Sequence, residues 1–169
     1  LIDGLKTSTA QWKFVASSVP ITIPTGWPET APRDGWASGS GEDGFERELT
    51  AIFAALAQAR VRNLIWLTAD VHFATGFELR PLPEHPDFST VEWVVGPMSA
   101  GVFPNETMDP TFRPRRLFMY APDEPPASLD EALAWYNFGE ATVEKSGQLT
   151  LRVVNGRGKT MAEMKIAPR

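Results

Sequence analysis

Leu64-Ile65-Trp66-Leu67-Thr68-Ala69-Asp70-Val71-His72-Phe73 is the stretch that decides the fold. An apolar run stops abruptly at Asp-x-His. A short, β-rich apolar segment closed by polar residues reads as a buried strand. Upstream, Phe45 to Ala59 places Phe45, Leu49, Ile52, Phe53 and Leu56 on one helical face. Asp43 and Glu46 have capping-box spacing, with Asp in place of Ser or Thr. Arg60 and Arg62 follow at the end where cations complement the helix dipole. Trp12 to Ser17 is a further strand before this helix. Strand, helix, strand predicts an α/β layer with a largely buried sheet. Ligands of such sheets gather beyond the carboxyl ends of the strands, where Asp70 and His72 stand.

Residues i and i+2 on extended backbone point to one side, so the sequence predicts a carboxylate and an imidazole side by side. Hard carboxylate oxygen and borderline imidazole nitrogen are common metal donors. The chain has two histidines. From spacing alone the commoner arrangement is an Asp capping a loop and a His filling a pocket edge. The other histidine, His85 in Pro81-Leu82-Pro83-Glu84-His85-Pro86, reads as an exposed loop residue.

A length of 169 residues fits one domain or a large piece of one. With 43% apolar and 11% aromatic residues the chain can build a core, and its net charge of −5 argues against a nucleic-acid-binding face. No apolar run reaches the length of a membrane span. There is no cysteine, hence no disulfide framework or thiolate site. The opening Leu1-Ile2-Asp3-Gly4-Leu5-Lys6 looks like mid-helix, without an initiating Met or signal peptide, and is expected to belong to a processed or truncated polypeptide.

The helix tail breaks at Thr7-Ser8-Thr9. Pro20 to Gly44 is rich in Pro and Gly and has no period, the signature of a binding loop, a lid or disorder; Trp27 and Trp36 argue against pure disorder. Phe73–Leu79 and Val91–Val95 are predicted strands, and 96–128 a second long loop region. A short helix begins at Ser128-Leu129-Asp130-Glu131. Three strands close the chain, Tyr136–Glu144, Leu149–Val154 and Thr160–Ile166, with turn signals at Ser146-Gly147 and Asn155-Gly156-Arg157-Gly158.

Two donors do not complete a metal site, which needs four to six. Asp34, Asp109, Asn105 and Tyr120 are loop candidates, and most donors are expected from outside this chain. Arg33-Asp34-Gly35-Trp36 reads either as a lid segment bringing a charge pair and an aromatic wall over a pocket, or as a loop anchored by Trp36. Phe112-Arg113-Pro114-Arg115-Arg116 gathers three guanidiniums, suited to phosphate, although a solvated basic turn is the simpler reading. Val95-Gly96-Pro97-Met98-Ser99-Ala100-Gly101 permits close backbone approach. Ser99 with His72 is a weak serine-hydrolase alternative.

In order along the chain stand Trp12-Lys13-Phe14-Val15, Ser18-Val19-Pro20, Arg33-Asp34-Gly35-Trp36, Asn63 to His72, Gly96 to Gly101 and Phe103-Pro104-Asn105-Glu106-Thr107-Met108-Asp109-Pro110-Thr111-Phe112. Together these resemble the C-terminal part of the PhoD-like alkaline phosphatases, a branch of the calcineurin-like metallophosphoesterases. The resemblance covers nearly the whole chain. It implies an α/β fold, the mixed-sheet half of an αββα sandwich ending in an antiparallel meander, with residues 1–169 as the C-terminal portion of one domain whose N-terminal metal-binding half lies elsewhere. It implies metal-dependent hydrolysis of phosphate mono- and diesters, iron (Fe3+) with calcium or other divalent metals as cofactors, and an extracytoplasmic location. By position, Asp70 and His72 match the superfamily's C-terminal metal motif, Gly-(His or Asp)-x-His, with Ala69 replacing the glycine. His72 contacting the leaving group is the alternative to a metal bond. Asp34, Trp36, Asn105 and Arg113 would line the substrate rim. A non-catalytic binding domain derived from the same fold is the rival from another class.

Overall fold

The computed structural model describes residues 1–25, 35–36, 44–104 and 107–169. Among them, helices are α1 (Ile2–Thr7), α2 (Glu46–Gln58) and α3 (Leu129–Ala132). The strands are β1 (Lys13–Ala16), β2 (Leu64–Thr68), β3 (Ala74–Leu79), β4 (Thr90–Val94), β5 (Pro114–Tyr120), β6 (Asn137–Val143), β7 (Leu149–Asn155) and β8 (Thr160–Ile166). Five form a mixed sheet in the order β1-β2-β4-β3-β5; the last three form an antiparallel meander. β1, β2 and β4 run parallel, and β3 is antiparallel to both β4 and β5.

Alternation along the strands sorts side chains into two cores. Leu64 and Trp66 of β2, Phe77 and Leu79 of β3 and Val94 of β4 pack under Leu49, Ile52, Phe53 and Leu56 of α2. Ile65, Ala74 and Trp93 face Leu149, Leu151 and Val153 of the meander. The result is three layers, helix on mixed sheet on meander, each burying the face its period supplies. Trp12 ties the two sheets together: its indole N–H donates to the Gly147 carbonyl at 2.8 Å, 135 residues away.

The amphipathic face of α2 is as the spacing predicts, except that Phe45 is its N-cap residue and is 58% exposed. Asp43 of the expected capping box lies outside the described residues; Glu46 accepts the Gly44 N–H at 3.0 Å. The helix ends in a Schellman arrangement. Val61 N–H donates to Leu56 at 3.0 Å and Arg60 N–H to Ala57 at 2.9 Å, with Arg60 at φ 55°.

The region 96–128 is not wholly a loop, because β5 runs from Pro114 to Tyr120 within it. Phe112–Arg116 is therefore no free basic turn. Proline opens β5 at the sheet's edge, the place where a missing N–H is tolerated. Arg115 sits opposite Glu78 of β3 and binds its carboxylate through two nitrogens, at 3.0 and 2.7 Å. Partial burial pushes the Glu78 carboxyl up, but the Arg115 hydrogen bond and the Arg80 and Arg115 charges outweigh it and leave the pKa lowered. His85 is half-buried in a turn, not fully exposed.

Candidate metal motif at the carboxyl edge of the mixed sheet

The strand directions bring the carboxyl ends of β1, β2, β4 and β5 and the amino end of β3 to one edge. Residues 69–73 cross this edge from β2 to β3, passing over the end of β4, which lies between them. The crossing is not extended, contrary to the expectation from i, i+2 geometry. Asp70 has φ 79° and His72 φ 63°. Five residues must turn back while bridging two strand spacings, about 10 Å, and left-handed backbone supplies the reversal. Val71 and Phe73 are buried in the helix-side core, whereas Asp70 is exposed and His72 half-exposed. The two polar side chains are thus presented outward by a kinked crossing.

The loop after β4 buttresses His72. Its Nδ1 lies 2.6 Å from the Gly101 carbonyl. A carbonyl only accepts, so Nδ1 carries the proton, and in the neutral ring Nε2 keeps its lone pair. Phe103 packs on the imidazole with ring centroids 5.3 Å apart. A Cβ on Gly101 would lie 2.7 Å from the Phe103 ring, so Gly101 is the residue that lets this aromatic close over the backbone. The base of the loop is held by buried Asn137. Its carboxamide accepts the Gly96 N–H and donates to the Gly96 carbonyl, both at 2.9 Å, while its own N–H donates to Pro97 at 2.7 Å.

Glu92 of β4, fully buried, pins the Ile21–Thr22 segment onto the helix-side face. Its carboxylate accepts the N–H groups of Ile21 (2.6 Å) and Thr22 (3.1 Å) and the Thr68 hydroxyl (3.0 Å). Burial pushes its pKa up, against the pull of these hydrogen bonds. Sequence reasoning missed Glu92 and Asn137, and took Gly101 and Phe103 only as parts of longer segments, with no role beside His72. The signals were a lone acid inside an apolar strand and a Gly followed by an aromatic two residues on.

Trp36 is half-buried; its ring meets Trp66 edge-on at 6.1 Å and its indole N–H donates to Ser17 Oγ at 3.0 Å. It therefore stands at the β1–β2 part of the same edge. Arg113 does not. It precedes Pro114, which pairs with Leu79 at the far end of β3, five residue steps or about 17 Å from Ala74. Asp34 and Asn105 lie outside the described residues. Asp109 is buried and accepts the Thr111 N–H at 2.7 Å, and the Tyr120 hydroxyl donates to the Ala134 carbonyl. Ser99 is exposed, and no hydrogen bond joins it to His72 among the described residues. Among those residues no three His, Cys, Asp or Glu side chains form a metal-holding group, and no helix is long and apolar enough to cross a membrane. A cavity of about 550 Å³ opens at the other end of the strands, lined by Trp12, Arg62, Asn63, Arg115 and Arg169 among others; neither Asp70 nor His72 borders it.

The described residues thus combine a mixed sheet backed by α2 with a facing antiparallel meander. The chain belongs to the PhoD-like phosphatase family, whose sequence profile matches residues 1–153. A solved structure titled "Structure of PhoD" superimposes with a TM-score of 0.53 at 14% identity, over 99% of this chain and 34% of that one. At that identity the likeness shows the fold, and the chain spans about a third of that protein's length. No curated protein sequence matches the chain.

Proposed function

We propose that residues 1–169 are the C-terminal portion of one PhoD-like phosphatase domain. This portion supplies the last metal motif and part of the active-site rim to an enzyme that hydrolyses phosphate mono- and diesters. The observation that carries the reading is the state of His72. Its Nδ1–H is spent on the Gly101 carbonyl, which fixes the tautomer and orients the ring, the usual support of a metal-bound histidine. The donor set fits a metal: an exposed carboxylate on Asp70 and an available Nε2 on His72, held at left-handed positions on either side of Val71. Iron with calcium, or other divalent ions, suits oxygen and imidazole donors. A bound metal supplies Lewis-acid charge neutralisation at the phosphoryl oxygens. Asp70 and His72 hold their part of the metal set in register, Gly101 keeps Nε2 in the accepting form, and Trp36 walls the β1–β2 side. The other donors are assigned to the remaining part of the domain, and the location is expected to be extracytoplasmic.

The test is made in the full-length protein. Asp70→Asn and His72→Ala are each expected to lower metal content and to cut phosphate-ester hydrolysis by about 100-fold or more, with the fold retained. Metal analysis, turnover and circular dichroism read the three effects. Normal loading with near-normal turnover would remove the pair from the mechanism.

A further inference from the structure

The last residue of β2 carries a hydroxyl that the fold does not need. Thr68 is buried. Its hydroxyl donates to Glu92 Oε1 at 3.0 Å, and its carbonyl accepts the Val95 N–H at 3.1 Å. A valine would fill the same space, suit a buried strand and leave no donor to satisfy. The hydroxyl therefore adds one thing, the link to Glu92. Two residues later Asp70 takes left-handed backbone, with φ 79°. Such backbone persists only where its surroundings over-determine it, and Thr68 is the last strand residue before it. The same Glu92 oxygen accepts the Ile21 N–H at 2.6 Å, and the other oxygen accepts the Thr22 N–H at 3.1 Å. The short segment they hold is itself a junction. The Pro20 carbonyl accepts the Trp36 N–H at 3.1 Å, and the Thr22 carbonyl accepts the Asp109 N–H at 2.8 Å. One buried carboxylate thus ties together the start of the Asp70–His72 crossing, the Trp36 wall and the segment at Asp109.

We propose that Glu92 is a positioning residue for the metal motif. Through the Thr68 hydroxyl it sets where the crossing leaves β2, and so where Asp70 stands relative to the Trp36 and Asp109 segments. The inference rests on the metal role proposed above for Asp70 and His72. Glu92 touches neither donor and acts through the backbone between Thr68 and Asp70.

The experiment loads the full-length protein with iron and calcium and follows the loss of bound metal to excess EDTA. It compares wild type with Thr68→Val, Thr68→Ser, Glu92→Gln and Leu56→Ala. Thr68→Val removes the hydroxyl and keeps the shape, whereas Thr68→Ser keeps the hydroxyl. Leu56→Ala opens the helix-side core and lowers stability without touching the link. Thr68→Val and Glu92→Gln are expected to lose metal about tenfold faster than wild type, the low end of what an outer partner of a metal ligand contributes, while Thr68→Ser and Leu56→Ala stay within about twofold. If Glu92→Gln fails to fold, the two Thr68 variants decide alone. Metal loss at the wild-type rate in Thr68→Val would overturn the proposal. Equally fast loss in Leu56→Ala, or no rescue in Thr68→Ser, would overturn it too, because stability or packing rather than the link would then govern retention. A wild-type protein that takes up no metal would overturn the metal role of Asp70 and His72 itself, and the proposal with it.

Discussion

Asp70 and His72 occupy backbone that non-glycine residues seldom adopt, at a cost of about 1–2 kcal/mol each. Asp and His tolerate it better than most side chains, which gives a backbone reason, beside the chemical one, for finding these types here. Glu92 is a buried acid that should make stability depend on pH. Its folded pKa is raised by burial, so in the window above the ordinary glutamate value, about 4.3, the folded state holds a proton that the unfolded state has released. The stability it contributes is fully present below that value and is lost as pH rises through the raised one. Glu92→Gln should flatten this slope when urea unfolding is followed from pH 4 to 8. It should also cost about 1–3 kcal/mol, because the amide cannot accept all the N–H and O–H groups that the carboxylate holds. A steeper slope in the variant would refute the assignment. The Asp-x-His pair was legible in sequence because an apolar run ending in two donors is a pattern. Glu92 was not, because its partners Ile21 and Thr22 lie 71 and 70 residues away and no local spacing records them.

At the scale of elements, α2 could be read from its period of 3.6 and β2 from an unbroken apolar run, since one face of the helix but both faces of the strand are buried. β5 could not. Its arginines and opening proline carry the composition of a turn, and it becomes a strand by pairing with β3 and by the charge match of Arg115 with Glu78. The end of α2 offers a sharper test. Arg60 is the left-handed C′ residue of the Schellman arrangement, where glycine is the usual occupant. Arg60→Gly relieves about 1–2 kcal/mol of backbone strain and gives back roughly half of that in unfolded-chain entropy. A net gain of about 0.5–1 kcal/mol is expected by thermal or urea unfolding; a loss would mean that the Arg60 side chain has a role its exposure conceals.

At the scale of the molecule, the edge that carries Asp70 and His72 was legible from strand order, but which loops share it depended on the crossing of β4 and on β3 running backwards. Asp70 and His72, the donors proposed above, would not by themselves make a complete centre. Residues 1–169 alone, supplied with iron and calcium, are therefore expected to show little or no turnover of a phosphomonoester or a phosphodiester, measured beside the full-length enzyme; comparable turnover would contradict the division of donors proposed above. The same long-range construction governs how the chain is made. Trp12 leaves the ribosome 135 residues ahead of the carbonyl that receives its indole N–H. At synthesis rates of about 5–20 residues per second, that interval is roughly 7–27 s. Throughout it Trp12 has no meander to cover it, and Ile65 has none from the moment β2 is made, so both stay open to whatever apolar surface they meet. The nascent polypeptide is thus in need of chaperone shielding until β7, which carries Leu149, Leu151 and Val153, has emerged.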